Sequence, residues 1–166
     1  MEIRRSHEED IPRMMEIYAG ARVFMAEHGN PYQWGQTSWP PEHLIRTDIA
    51  HGHSYVCVED GTVIGTFFYI YGKNIEPTYR EITDGAWKDE SPYGVVHRIA
   101  SDHSRKGIGR FCLEWAFDQC GHIRIDTHVD NSVMRNLLTG LGYEHCGTIY
   151  VHEDHDPRMA FEKSTV

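Results

Sequence analysis

The stretch Ser104-Arg105-Lys106-Gly107-Ile108-Gly109-Arg110 combines residue types and spacing suited to holding an anion. Glycines at 107 and 109 let the backbone approach a ligand closely, because no Cβ intervenes and a positive φ costs little there. The run Phe111 to Cys120 has helical character. A helix opening at this loop aims unpaired N–H groups and the positive end of its dipole into it. Arg105, Lys106 and Arg110 place three cations within six residues of a chain whose net charge is −9. A plain turn would also use Gly-x-Gly, but a helix start and local basic charge added to it describe a phosphate cradle. A dinucleotide fingerprint does not fit: its third glycine would fall on Cys112, and six polar residues, Ser101 to Lys106, separate Gly107 from the strand-like run Val95 to Ala100.

The elements that must position this loop come from a chain of 166 residues, 40% hydrophobic and 25% charged, which is ordinary for one globular domain spanning residues 1–166. No apolar run reaches bilayer length and Met1-Glu2-Ile3-Arg4-Arg5 leads into no secretory segment, so the expected location is cytoplasmic, with no membrane partner. Cys57, Cys112, Cys120 and Cys146 show no C-x-x-C pairing. Cys112 and Cys120, eight residues apart on one helix, would stand about 12 Å apart, too far for a disulfide. The close histidine pairs, His51/His53 and His152/His155, fall in turns, and no metal is expected. Nucleic acid is a poor partner for so acidic a chain.

Along the chain, Glu2–Arg5 reads as a strand, and Asp10 as the cap of a helix with Pro12 in its first turn and Ile11, Met14, Met15, Tyr18, Ala21 and Met25 as its apolar stripe. Trp39-Pro40-Pro41 opens a shorter helix carrying Leu44, Ile45 and Ile49, after an aromatic-rich connection equally suited to packing down on the body and to forming a pocket wall. Ser54–Val58 and Val63–Tyr71, joined by Asp60-Gly61, form a hairpin pattern. Residues 72–92 read as a long irregular excursion, which inside a compact domain is usually functional. The second half alternates: strand 95–100, helix 107–120, strand 122–129, helix 132–140, strand 143–151 and, after a turn at Asp156-Pro157, strand 158–163. The fold class is therefore α/β with a mixed central sheet of about seven strands flanked by helices.

This order and these residues resemble the GNAT family of N-acyltransferases over nearly the entire chain. The family's Gln/Arg-x-x-Gly-x-Gly/Ala motif is matched at Gly107 and Gly109, with Ser104 at its first position. Asp130-Asn131-Ser132-Val133-Met134 resembles the opening of the family's next helix, and Leu137-Leu138-Thr139-Gly140-Leu141-Gly142-Tyr143 its end. The resemblance implies acetyl-CoA as co-substrate, its pyrophosphate on the amides of Arg105, Lys106, Gly107, Ile108, Gly109 and Arg110, with Asn131 as a further contact. Asn131 also suits a plain helix cap. The resemblance further implies a sheet splayed between its fourth and fifth strands, the pantetheine arm pairing with the backbone of His97, Arg98 and Ile99.

For the reaction, the resemblance implies direct attack by an amine acceptor, small molecule or peptide, with a homodimer allowed. The amine must lose a proton first. Asp126 corresponds to a carboxylate that acts as base in some relatives, and His97, an imidazole on the fourth strand, could do the same. A structural alternative pairs Asp126 with Arg98 or Arg124. Many members carry a Tyr seven residues after the Asn, where it protonates the departing thiolate; here that residue is Leu138. A catalytically weak acyl-CoA sensor is the competing reading.

Overall fold

The computed structural model describes residues 1–34, 37–151 and 155–165. Its strands are β1 (Glu2–Arg5), β2 (Ser54–Glu59), β3 (Thr62–Gly72), β4 (Tyr93–Ser101), β5 (His122–Thr127), β6 (Glu144–Tyr150) and β7 (Pro157–Ser164). Its α-helices are α1 (Ile11–Glu27), α2 (Glu42–Ala50), α3 (Ile108–Cys120) and α4 (Ser132–Gly140). The strands form a mixed seven-stranded sheet in the order β1-β2-β3-β4-β5-β7-β6. β4 and β5 pair in parallel, and β7 lies antiparallel between β5 and β6. The expected β5, helix, β6 crossover is therefore present, but β7 separates the two strands it joins.

Alternation along the strands sends neighbouring residues to opposite faces. Cys57, Phe67, Tyr69, Ile123 and Phe161 pack with Ile108, Cys112, Leu113, Ala116 and Leu138 of α3 and α4. Val56, Val58 and Val63 pack on the other face with Ile11, Met14, Ile17, Tyr18 and Ile45 of α1 and α2. A third cluster packs Tyr79, from the long connection between β3 and β4, with Tyr93, Val95, Ile149 and Ala160 of the sheet. Asp10 does not cap α1 through its side chain, which binds Arg4 at 2.8 and 3.0 Å and the His7 amide at 2.7 Å.

The β4–β5 pairing is short. Gly94 pairs with Ile123 and Val95 with Arg124, and the strands part beyond that point. Gly94 stands where they press together: a Cβ there would meet Ile123 Cδ1 at 2.7 Å and Tyr69 Cε1 at 2.8 Å. Further along, Thr66 faces Ala100 while Phe68 faces His97, so β4 carries a bulge at Arg98 and Ile99. Arg98 takes a φ of 51°, a left-handed conformation that costs a non-glycine residue about 1 kcal/mol or more. Tyr18 Oη donates to Arg98 O at 2.9 Å, and the Arg98 guanidinium binds Asp48 at 2.6 Å and lies 4.7 Å over the Phe68 ring. These contacts hold the bulge open.

Candidate active site

The divergence of β4 from β5 leaves two adjoining cavities. The first, about 640 Å³, is bounded by α1, the end of β4, the 103–110 loop and the start of α4. Gly107 caps α3 with φ 83°, no side chain caps that helix, and a Cβ at Gly107 would meet no atom within 4 Å. The open amides of its first turn thus face the cavity, as an anion site requires. The loop's cations divide differently from their count. Arg105 is drawn into an ion pair with Glu59, and Arg110 binds Glu114 one turn on at 2.8 Å. Lys106 has no ion partner among the described residues, so the amides and Lys106 carry the attraction for an anion. An anionic pyrophosphate fits this donor set.

The second cavity, about 440 Å³, is lined by Trp34, Trp39, Glu76, His97, Arg98, Asp126 and Arg158, among others. Met25, Ile99, Asn131 and Met134 border both cavities. The candidate catalytic and cofactor-binding residues stand around two adjoining cavities: Arg105 to Arg110 on the first, His97, Arg98 and Asp126 on the second, Ile99 and Asn131 on both. Asn131 is also the α4 cap, accepting from the Met134 amide at 3.0 Å and donating to Gln33 at 3.1 Å.

Asp126 pairs with neither arginine expected for it. Arg98 is bound by Asp48, and Arg124 by Glu162 at 2.8 Å, each a carboxylate brought in by another element. Asp126 instead accepts from Tyr79 Oη at 2.6 Å. Burial, then the Asp126 charge, push the Tyr79 phenol well above its ordinary range, so it stays protonated and donates. His97 Nε2 lies 2.9 Å from Glu76 Oε2. Burial alone would raise Glu76, but the bond to His97, its charge and the Thr78 amide override it and hold the carboxyl at about 2.

Glu76 and Tyr79 were not legible as site residues. They come from the irregular excursion, where Glu76 caps and Tyr79 ends a single 3-10 turn, Pro77–Tyr79. The one local signal was Glu76-Pro77, an acceptor side chain before a proline suited to a first helical position. Leu138 is 0% exposed within the α3–α4 core and does not reach the cleft. Among the described residues no group of three or more His, Cys, Asp or Glu could hold a metal ion. His51 and His53 stand 6.0 Å apart as tilted rings, and His152 lies outside the described residues.

The profile of the acetyltransferase (GNAT) family matches residues 12–143. The chain belongs to this family. As a GNAT acetyltransferase it is an enzyme of the acyltransferase class. A GNAT family acetyltransferase from Streptococcus agalactiae 2603 is similar over 99% of this chain and 95% of its own, with 28% identity and a TM-score of 0.88. The ribosomal-protein-alanine N-acetyltransferase of Brucella melitensis shares the fold at 17% identity and a TM-score of 0.64, covering 99% of each chain. A chain of the NatC complex bound to Gag peptide and CoA does so at 17% identity and a TM-score of 0.61, covering 100% of each. No curated protein sequence matches this GNAT chain.

Proposed function

We propose that residues 1–166 form one N-acetyltransferase domain that moves an acetyl group from acetyl-CoA to an amine acceptor by direct attack in a ternary complex. The observation that carries this reading is the junction of the two cavities at Met25, Ile99, Asn131 and Met134, which lets two ligands meet at their reacting ends. Acetyl-CoA, when bound, supplies an activated thioester. The α3 amides and Lys106 would hold its pyrophosphate, and the free β4 edge at His97, Arg98 and Ile99 would align its arm. A backbone N–H at that edge can also stabilise the negative charge that develops on the carbonyl oxygen.

The second cavity would take the acceptor. Its two arginines are engaged by Asp48 and Asp156, leaving the carboxylates of Glu76 and Asp126 to favour a cationic amine. Small-molecule and peptide amines both suit it; the NatC neighbour, bound to Gag peptide and CoA, supports the pairing of such an acceptor with CoA. Asp126 and His97 are the groups able to take the ammonium proton. With Leu138 buried, the leaving thiolate departs unprotonated or through water, which a thiol of pKa about 8.5 tolerates.

Initial rates against a panel of amines, followed by thiol release, test the reading. Intersecting double-reciprocal lines are expected; parallel lines would indicate a covalent acyl-enzyme instead. Tight acetyl-CoA binding with no thiol release for any amine would favour the sensor reading, to which Leu138 already lends weight.

A further inference from the structure

We propose that Glu76 is a positioning residue that orients His97 with Nδ1 free, and that His97, rather than Asp126, is the group that takes the acceptor's ammonium proton. This inference rests on the transferase reading above. An ionised carboxylate only accepts hydrogen bonds. Glu76 Oε2 stands 2.9 Å from His97 Nε2, so the neutral imidazole must carry its proton on Nε2. Nδ1 then keeps its lone pair, and no described residue binds it. Phe68, stacked at 5.7 Å, and Tyr79, edge-on at 6.1 Å, fix the plane of the ring.

The other charged groups around the ring are already committed. Arg98, next along β4, is tied to Asp48 of α2 at 2.6 Å, and Arg158 of β7 to Asp156 at 2.8 Å. Asp126 of β5 receives the Tyr79 phenol at 2.6 Å, and His53 lies beyond Phe68. Glu76 is therefore the charge that meets an imidazolium at His97. An imidazole ordinarily titrates near 6.5 and a carboxylate near 4, so the imidazole matches a base working near neutrality better.

The proton count closes without another reactant. The ammonium gives one proton to Nδ1, the freed nitrogen lone pair forms the N–C bond, and the C–S bond breaks with its electrons on sulfur. The second nitrogen proton passes to that sulfur, and His97 returns its proton to water. Glu76 itself stays ionised throughout.

Two measurements on the whole protein test this, one of them independent of turnover. The His97 ring resonances, identified by their loss in His97→Gln, should titrate with the Nε2–H tautomer in the neutral form. Glu76→Gln, which can still accept from Nε2–H and from Thr78, should lower that midpoint by about one pH unit. The acidic limb of kcat with the best amine should move by the same amount, with KM for acetyl-CoA unchanged. His97→Gln should lower kcat by about 10² to 10⁴ and remove the limb, while Asp126→Asn should keep it. An Nδ1–H tautomer, an unmoved midpoint in Glu76→Gln, or a limb lost in Asp126→Asn but kept in His97→Gln overturns the proposal. If the ring titrates as expected and no amine is turned over, Glu76 still positions His97 but the base role falls with the transferase reading.

Discussion

At the residue scale, Gly107 and Leu138 test opposite kinds of environment. Gly107 holds φ 83° with open cavity before it, so Gly107→Glu should fold while losing about 1 kcal/mol to the left-handed backbone. Its carboxylate would project among the open α3 amides proposed to hold the pyrophosphate. Calorimetry should show acetyl-CoA affinity reduced at least about tenfold, since one misplaced interaction of 1.4 kcal/mol suffices for that. Leu138 differs because nothing around it is open. It is 0% exposed among Cys112, Leu113 and Leu141, so Leu138→Tyr has no route for its hydroxyl to the cleft. Overpacking should cost about 1–3 kcal/mol in denaturant unfolding, and kcat should not rise. An increase in kcat would mean that the helix turns to present the phenol.

At the element scale, the connection between β3 and β4 acts as part of the site because a buried charge cluster ties it to the sheet. Glu162, 0% exposed on β7, accepts from His122 at 2.6 Å, Arg124 at 2.8 Å and the Lys88 amide at 2.8 Å. Arg124 in turn lies between Trp87 and Tyr93, at 4.6 and 4.3 Å, and Trp87 donates to Tyr79 O at 2.8 Å. Removing the shared acceptor in Glu162→Ala would strand two buried donors, and a loss of about 3–5 kcal/mol is expected in equilibrium unfolding. The sign with pH follows from the same contacts. Burial opposes ionisation of Glu162, but His122, the Lys88 amide and Arg124 prevail and hold its carboxyl below the usual glutamate range. A carboxyl depressed in the folded state contributes stability in full above its unfolded value and loses it as pH falls through the folded one. Tm should therefore drop as pH falls below about 4.5, Glu76 adding to the same trend. Glu162→Gln should make that slope shallower.

At the scale of the whole molecule, the cleft is lined by residues of α1, β4, α3 and α4, and a ligand there would bridge these elements. Acetyl-CoA at a hundred times its Kd should add about 2.7 kcal/mol. For a chain of this size that corresponds to a rise in Tm of about 5–10 °C. Gly107→Glu, with affinity at least about tenfold weaker at the same ligand concentration, should cut the rise to about half or less, and Leu138→Tyr should retain it at a lower baseline. Among the described residues no helix is long and apolar enough to cross a membrane.

The local part of this architecture was written in the sequence by itself. The helical stripe of α1, the hairpin of β2 and β3, the glycine loop before α3 and the Asn131 cap all follow from interactions between residues a few positions apart. Gly107 and Asn131 could be read because a positive φ and an i to i+3 cap leave local signatures. The bulge at Arg98 could not, since its supports, Tyr18 and Asp48, lie 80 and 50 residues away. Glu76 reaches His97 across 21 residues and Tyr79 reaches Asp126 across 47, along a connection without periodicity. Arg105 looked like a free cation until the fold set Glu59 beside it. Periodicity and capping are decided by short-range geometry of the backbone; which charge meets which is decided by the order of strands in the sheet, and that order brings distant segments together only once the core has formed.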